Sequence, residues 1–504
     1  MSPYDEDDGA GVKSMDRREF LKLTAAGAGA VAVSMALGGC MAGKGLAGSA
    51  KADAAAAAFS GKYKDHNVVL VSFDALQAAH VHTMGYGRNV TPTIDAMARR
   101  GYKFTTNISV SSWTVPASMT WFTGNYPSEH RLLNKFSVYD PPHTVIANLK
   151  KLSPELVTLA EVLKANGYAT GGFTGNAGVN GIFGYDQGFD TYFYEMGKFG
   201  SMGTSIPKAL DWIKANRDNK MFVFLHGYDA HGQSIPVGGY DYRYVDKGYD
   251  RRFTGSAKEQ EALREEGLAK GRVYLRDEDV RFWRAIYDEK ISRVDAMFAH
   301  FLEEYDKLGL TGKTLFVLTS DHGTEFYEHH RFDHGYTLFD ELIHTPLIVS
   351  LPGQQDARIV SDQISSVDVM PTILDLLGVR MPERAAGQLR GLSLAAAMAG
   401  QPVARDVYSE TDYRLYTFKR SIRTKDGWKF IATMENGQRE LYNLNSDPGE
   451  LQNVAEAEPR IAYELEQKLY GKFKSIGHDL NGRSWVTGLS PVYDSQAIPV
   501  VPKK

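Results

Sequence analysis

The chain is poor in cysteine, with one residue, Cys40, in 504. No intramolecular disulfide framework can form, so a place outside the reducing cytoplasm needs some other signal than cross-links. Neither sign of charge is in excess: a formal net charge of −4 excludes a general basic face, and no nucleic acid is expected as a structural partner. Internal repeats are missing too. Past the N-terminal segment no run is apolar enough to span a bilayer. What is present, 43% hydrophobic residues with 27 Tyr and 24 Phe, suffices for a large core and two packed units.

The lone cysteine stands at an informative place. Asp16-Arg17-Arg18-Glu19-Phe20-Leu21-Lys22 precedes a mildly apolar, Ala- and Gly-rich stretch that ends in Leu37-Gly38-Gly39-Cys40. The first part has the arrangement of a twin-arginine export signal, and the ending resembles a bacterial lipobox, whose cysteine is lipidated. Residues 1–39 are therefore expected to be a lipoprotein signal. Residues 40–62 are expected to be a flexible tether to a lipid anchor. The expected location is membrane-anchored, on the periplasmic or other extracytoplasmic face.

Apolar runs closed by polar residues punctuate the next three hundred or so positions. Val68 to Phe73 closes on Asp74, Met221 to Leu225 on His226, and Leu315 to Leu318 on Ser320-Asp321-His322-Gly323. Helical signals separate them: Pro92 after Thr91, Pro116 to Thr123, Leu156 to Asn166, and a long apolar stripe from Asp277 to Leu308. Alternating strands and helices predict a doubly wound, mostly parallel α/β sheet over 63–400. The polar stretch Tyr240 to Gly271 reads as a surface excursion, a lid or specificity loop. From 401 to 504 the pattern changes to short antiparallel strands, with Asn436-Gly437 as a hairpin turn and a helix from Pro459, a smaller α+β subdomain.

Four separated strand ends carry carboxylate, hydroxyl or imidazole: Asp74; Thr114 before Pro116; His226, Asp229 and His231; and Asp321-His322 followed by His334. In an open parallel sheet ligands bind where the carboxyl ends of strands converge, so these residues belong to one cleft. A solvated turn with a capping Asp would explain a single Asp-His pair. It does not explain His322, His329, His330 and His334 within one short segment of a chain with 14 histidines.

Phe73-Asp74-Ala75-Leu76, Asn89 to Asp95, Trp113 to Ser118, Phe122 to Pro127, Asp229-Ala230-His231, Ser320 to Gly323, His334-Gly335, Thr345 to Ile348 and Asp368 to Thr372 follow one another at the spacing of a known group. Across Asn67 to Tyr470 the chain resembles the sulfatase-like members of the alkaline phosphatase superfamily. In sulfatases of this group, Cys-x-Pro-x-Arg or Ser-x-Pro-x-Arg supplies a residue oxidised to formylglycine. Here the box reads Thr114-Val115-Pro116-Ala117-Ser118. Oxidised threonine would be a ketone, and the arginine is missing. Calcium-type sulfatases also pair Asp residues at the first strand and Asp-Asn at the later one, where this chain has Asp74-Ala75 and Asp321-His322. Imidazole suits Zn²⁺ or Mn²⁺ better than Ca²⁺.

The resemblance thus implies a divalent-metal hydrolase, with one or two ions, of anionic phosphate mono- or diesters. Asp74, Thr114, Asp321 and His322 would hold the metal. Thr114 would be the nucleophile that forms a covalent intermediate. His231 and His334 would either protonate the leaving group or hold a second ion with Asp229. Two alternatives are a sulfuric ester hydrolase working without formylglycine and a non-catalytic lipoprotein binding an anion or glycan. His226 is expected to be structural, and His329, His330, Arg331 and Asp333 to form solvated surface. Arg88, Asn107 and Asn176 are candidates for substrate contact. Oligomeric state is open.

Overall fold

The computed structural model describes residues 57–133, 138–139, 145–147, 151–195, 199–413 and 417–480. The export signal, Cys40 and most of the expected tether lie outside the described residues. The tether's last residues are part of the folded body: Gly61 N–H donates to Asp375 O and Tyr63 N–H to Leu376 O. The expected boundary at residue 62 therefore falls several residues late.

An eight-stranded sheet forms the centre. In chain order its strands are β1 (Asn67–Phe73), β2 (Tyr102–Ile108), β3 (Tyr168–Thr174), β4 (Thr191–Tyr194), β5 (Lys220–Gly227), β6 (Thr314–Thr319), β9 (His344–Ser350) and β10 (Arg358–Ser365), with the hairpin strands β7 (Glu325–Phe326) and β8 (Phe332–Asp333) between. Their spatial order is β10-β2-β9-β6-β1-β5-β3-β4. All pairings are parallel except those of β9, which runs against both β2 and β6. The β1, β5 and β6 runs are apolar at every core position because both faces are covered. Val68 and Leu70 point into one core cluster and Val69 and Val71 into the other.

One face carries α2 (Thr114–Thr123), α3 (Leu159–Ala165) and α7 (Val369–Leu377). The other carries α1 (Pro92–Ala98), α4 (Met202–Asn216) and the long α6 (Asp277–Lys307), whose Phe282, Ile286, Phe298 and Phe301 are all buried. This is the doubly wound arrangement expected from the sequence. The excursion from Tyr240 is no free loop. Glu289 of α6 accepts from the Asp241 and Arg243 N–H groups, the Tyr249 hydroxyl donates to Asp279, and a helix, α5 (Ala257–Lys270), closes the segment.

The C-terminal part is a four-stranded antiparallel sheet, β11 (Val407–Tyr413), β12 (Thr417–Arg423), β13 (Trp428–Thr433) and β14 (Arg439–Asn443), with α8 (Pro459–Ser475) across one face. Ile422, Phe430 and Leu441 pack on Leu465, Leu469 and Phe473. Its first strand is absent from the sequence reading, because Ser409, Glu410, Thr411 and Asp412 look solvated. They are buried against the main body instead: Glu410 N–H donates to Val110 O, and the Ser409 hydroxyl donates to Ser109 O.

Candidate active site

Parallel register fixes the floor of the cleft. Ser72 of β1 stands opposite His226 on one side and Thr319 on the other, so Asp74 and Asp321 follow their strands at one level and His226 lies two residues before it on the other neighbouring strand. The turn after β1 holds Asp74 rigidly. Ala75 has φ of 59°, its N–H donates to Asp321 Oδ1 at 3.1 Å, and its carbonyl accepts from the Tyr287 hydroxyl at 2.6 Å. A left-handed alanine is strained and persists only where its surroundings enforce it.

Thr114 opens α2. It is not the helix cap; that position is Trp113, and the Thr114 hydroxyl makes no capping bond. Its Oγ1 lies instead 3.2 Å from Asp74 Oδ2 and 3.2 Å from His322 Nε2. His322 Nδ1–H donates to Gly323 O at 2.7 Å, which leaves Nε2 as the acceptor facing the hydroxyl. Ser118, where the sulfatase box has arginine, is engaged locally: its hydroxyl donates to Thr114 O and meets the Tyr185 hydroxyl.

The donor set fits a divalent cation. Ligand atoms of Asp74, His226 and Asp321 lie within 4.8 Å of one another, all three residues buried. Among the described residues, Asp74 Oδ1, Asp321 Oδ2 and both ring nitrogens of His226 have no hydrogen-bond partner. Burial, and then the Asp321 carboxylate, hold the Asp74 carboxyl well above its usual range. Two acids this close and dry do not both ionise unless positive charge stands between them. Burial pushes the His226 imidazole down to about 4, so it is neutral and able to ligate. His226, expected to be structural, belongs to a group able to hold an ion. It sits 3.4 Å from Asp74 Oδ2 with neither nitrogen hydrogen-bonded.

Three imidazoles line up above this floor. His334 stacks on His322 with ring centroids 4.4 Å apart and meets His231 edge-on at 4.9 Å. Burial and the neighbouring His334 hold the His231 imidazole well below its ordinary range, so it is uncharged. His334 Nδ1 is in short contact with Asp333. Burial alone would raise the Asp333 carboxyl, but His334 and then Arg264 hold it below the usual carboxylate range. Asp333 is fully buried and not solvated surface as its sequence context suggested.

Several other expectations change. Asp229 is engaged elsewhere: it accepts from the Ser201 hydroxyl and from Met202 N–H, at the start of α4. His329 is held between Glu341 and the Glu450 carbonyl and stacks on Phe339. Arg88 pairs with Asp288 and covers Tyr244, and Asn107 donates to Thr345; neither lines the cleft. Asn176 does line it.

The cleft has a volume of about 470 Å³. Trp113, Phe199, Tyr228 and Tyr413 wall it, with Arg264 of α5 at one side. Sequence context alone singles out neither Arg264 nor a buried Asp333. For Asp333 a signal existed: Asp-His-Gly occurs at 321–323 and again at 333–335. Both glycines are needed for packing, since a Cβ at Gly323 would lie 2.0 Å from Glu341 O and one at Gly335 2.4 Å from the Tyr413 ring.

Buried acids and imidazoles at the carboxyl edge of a doubly wound sheet, beside a helix-opening hydroxyl, form a group able to hold a divalent cation. The sulfatase family model matches residues 66–379, more than half of the chain, and a model described as N-sulphoglucosamine sulphohydrolase, C-terminal, matches 327–475. The chain belongs to the sulfatase family, whose members are hydrolases of ester bonds. Mouse (Mus musculus) arylsulfatase K is 29% identical over 225 residues, 42% of this chain and 40% of the relative. Human (Homo sapiens) arylsulfatase K is 29% identical over 222 residues, 41% of each. The chain thus spans about two-fifths of the length of these curated relatives. Among solved structures, one in complex with its substrate D-glucosamine-2-N,6-O-disulfate superposes with TM-score 0.63 at 18% identity, covering 82% of this chain and 98% of the other. The phosphonate monoester hydrolase of Agrobacterium radiobacter gives 0.63 at 20% identity, covering 82% and 96%. At these identities the likeness is one of fold.

Proposed function

We propose that the chain is a metal-dependent hydrolase of phosphate esters that works through a covalent Thr114 intermediate. The observation that carries the reading is the Thr114 hydroxyl, set 3.2 Å from both Asp74 Oδ2 and His322 Nε2 at the edge of the buried acid and imidazole group. Asp74, His226 and Asp321, with His322 Nε2 and the Thr114 hydroxyl, would hold the ion. A divalent cation there supplies positive charge that lowers the cost of oxyanion character at Thr114 and on the substrate.

Thr114 gives its proton to Asp74 Oδ2, which already accepts its hydrogen bond, and attacks phosphorus in line, while the bond to the leaving oxygen breaks. His334, oriented by Asp333 through Nδ1, donates the proton that the leaving oxygen takes. Water then opens the phospho-Thr114 ester, its proton passing by way of neutral His231 to restore the neighbouring His334, while the departing Thr114 oxygen takes its proton back from Asp74.

Sulfate monoester hydrolysis is the second reading, supported by the arylsulfatase relatives; it also requires Thr114 to act unmodified. Turnover of p-nitrophenyl phosphate, bis-p-nitrophenyl phosphate and p-nitrophenyl sulfate by stripped and metal-loaded protein separates the two. Sulfate turnover far above both phosphates would sink the phosphoryl reading, and full activity in Thr114→Ala would remove the nucleophile. We also propose twin-arginine export and lipid anchoring at Cys40, from Arg17-Arg18 and the Leu37 to Cys40 sequence. Arg17→Lys, Arg18→Lys protein is expected to stay in the cytoplasm; unchanged lipidation at Cys40 overturns that route.

A further inference from the structure

We infer that the natural substrate is a monoanionic ester carrying a bulky apolar or aromatic group, and not a polyanionic sugar. The inference rests on the reading of this cleft as the ester-cleaving site and concerns what its walls accept.

Two observations carry it. The first is the lining. Trp113, Phe183, Tyr194, Phe199, Tyr228 and Tyr413 present aromatic surface around the cleft. At its rim Ile182 is 60% and Phe199 41% exposed, large apolar side chains of a kind usually covered. Exposed apolar residues continuous with a cleft mark a surface that a ligand covers. Aromatic faces also stack on sugar rings, so the lining alone favours a flat or apolar group without excluding a sugar.

Charge decides between them. Among the described residues lining the cleft, Arg264 is the one permanently charged cation, and its charge is already matched. It pairs with Asp333 at 3.5 Å, Glu261 at 3.4 Å and Glu265 at 3.2 Å. On the floor, a divalent cation would be balanced by Asp74 and Asp321. Among the described residues, the lining then has no surplus positive charge for a second or third anionic group. A multiply sulfated sugar, or a phosphomonoester dianion, would bring negative charge that nothing described here neutralises. A phosphodiester or a sulfate monoester carries one negative charge. Asn176 contributes a neutral polar contact: its Oδ1 accepts from Asn180 at 2.9 Å, in a loop strained at Asn176 (φ 85°) and Ala177 (φ 39°).

The test uses the metal-loaded full chain and the methyl, phenyl and 1-naphthyl diesters of p-nitrophenyl phosphate, which share leaving group and charge. We expect kcat/KM to rise about 10-fold or more from methyl to naphthyl, and the diester to exceed p-nitrophenyl phosphate. Equal values across the series overturn the apolar class, and preference for the dianion overturns the charge argument. The paired sulfates, p-nitrophenyl and 4-methylumbelliferyl, distinguish a sulfate source of the same chemistry. In Ile182→Ser, Phe199→Ser protein the naphthyl-to-methyl ratio is expected to fall toward one; an unchanged ratio removes the wall assignment. If no ester turns over, the hydrolase reading fails by itself. Calorimetric binding of methyl 1-naphthylphosphonate against methyl methylphosphonate then still decides the class. D-Glucosamine-2-N,6-O-disulfate binding more tightly than the naphthyl compound would overturn it.

Discussion

Asp74, His226 and Asp321 reach the floor of the cleft from three adjacent strands in one hydrogen-bonded register. Trp113, Phe199, Arg264 and Tyr413, which wall the same cleft, come from three connections and a separate sheet. The floor cannot shift by one residue without slipping a strand and turning each of its side chains to the other face. The walls are held by side-chain packing, so their composition can change while the sheet stays as it is. In the proposed function, chemistry and specificity are thus anchored in different kinds of structure.

The sharpest way to break that contrast is at the floor. Asp321→Ala is expected to lose bound metal and about 10³-fold or more in kcat/KM. Unchanged metal content by elemental analysis would show that the carboxyl edge is not the ion's site. Asp333→Asn tests the seam, because Asp333 faces His334 on one side and Arg264 on the other. We expect kcat to fall about 10²-fold with metal content unchanged and the pH profile altered; loss confined to KM would make Asp333 part of the wall only. Tyr413→Leu should raise KM about 10-fold for apolar esters with kcat nearly kept, and a comparable loss in kcat would place that ring among the reacting groups.

The smallest effect concerns acid sensitivity under the floor. His130 is buried with Nε2–H donating to Pro116 O and Nδ1 accepting from Leu132 N–H, and burial pushes its imidazole down to about 3. An unfolded chain takes up that proton near pH 6.5 while the folded one does not. Stability is therefore lost as pH falls below 6.5, by about 1.4 kcal/mol per unit at most from this group. Urea unfolding of His130→Gln should show a correspondingly shallower decline between pH 6 and pH 4. An identical slope would mean that His130 charges in the folded protein.

The layered α/β body, the strand-end residues Asp74, Asp321 and His322, and Thr114 at the start of a helix were all legible in the sequence. Apolar runs closed by polar residues, and glycines after histidines, leave few ways to fold. The surroundings of His226 are not legible, because a strand-end imidazole gives no sign in sequence of whether its nitrogens find partners. Charged neighbours in sequence make Asp333 and His329 look solvated; here the β7–β8 hairpin turns them inward. Ser409 to Asp412 failed for a related reason, since polar side chains can be buried when a second sheet supplies their hydrogen bonds. Arg264 stands in a helix whose sequence looks like ordinary surface, and only its position over the cleft gives it a role.

Tyr413 is the last residue of β11, and its ring lies against Gly335, next to His334. The Thr411 hydroxyl donates to Gly335 O on the same stretch. A piece of chain that follows the catalytic body in sequence thus completes the substrate's surroundings. Loss of the chain beyond residue 400 would therefore strip away that wall together with the hydrogen bonds that Ser409, Glu410 and Thr411 make to the main body, so the tail is as much a support of the His334 segment as a boundary of the cleft.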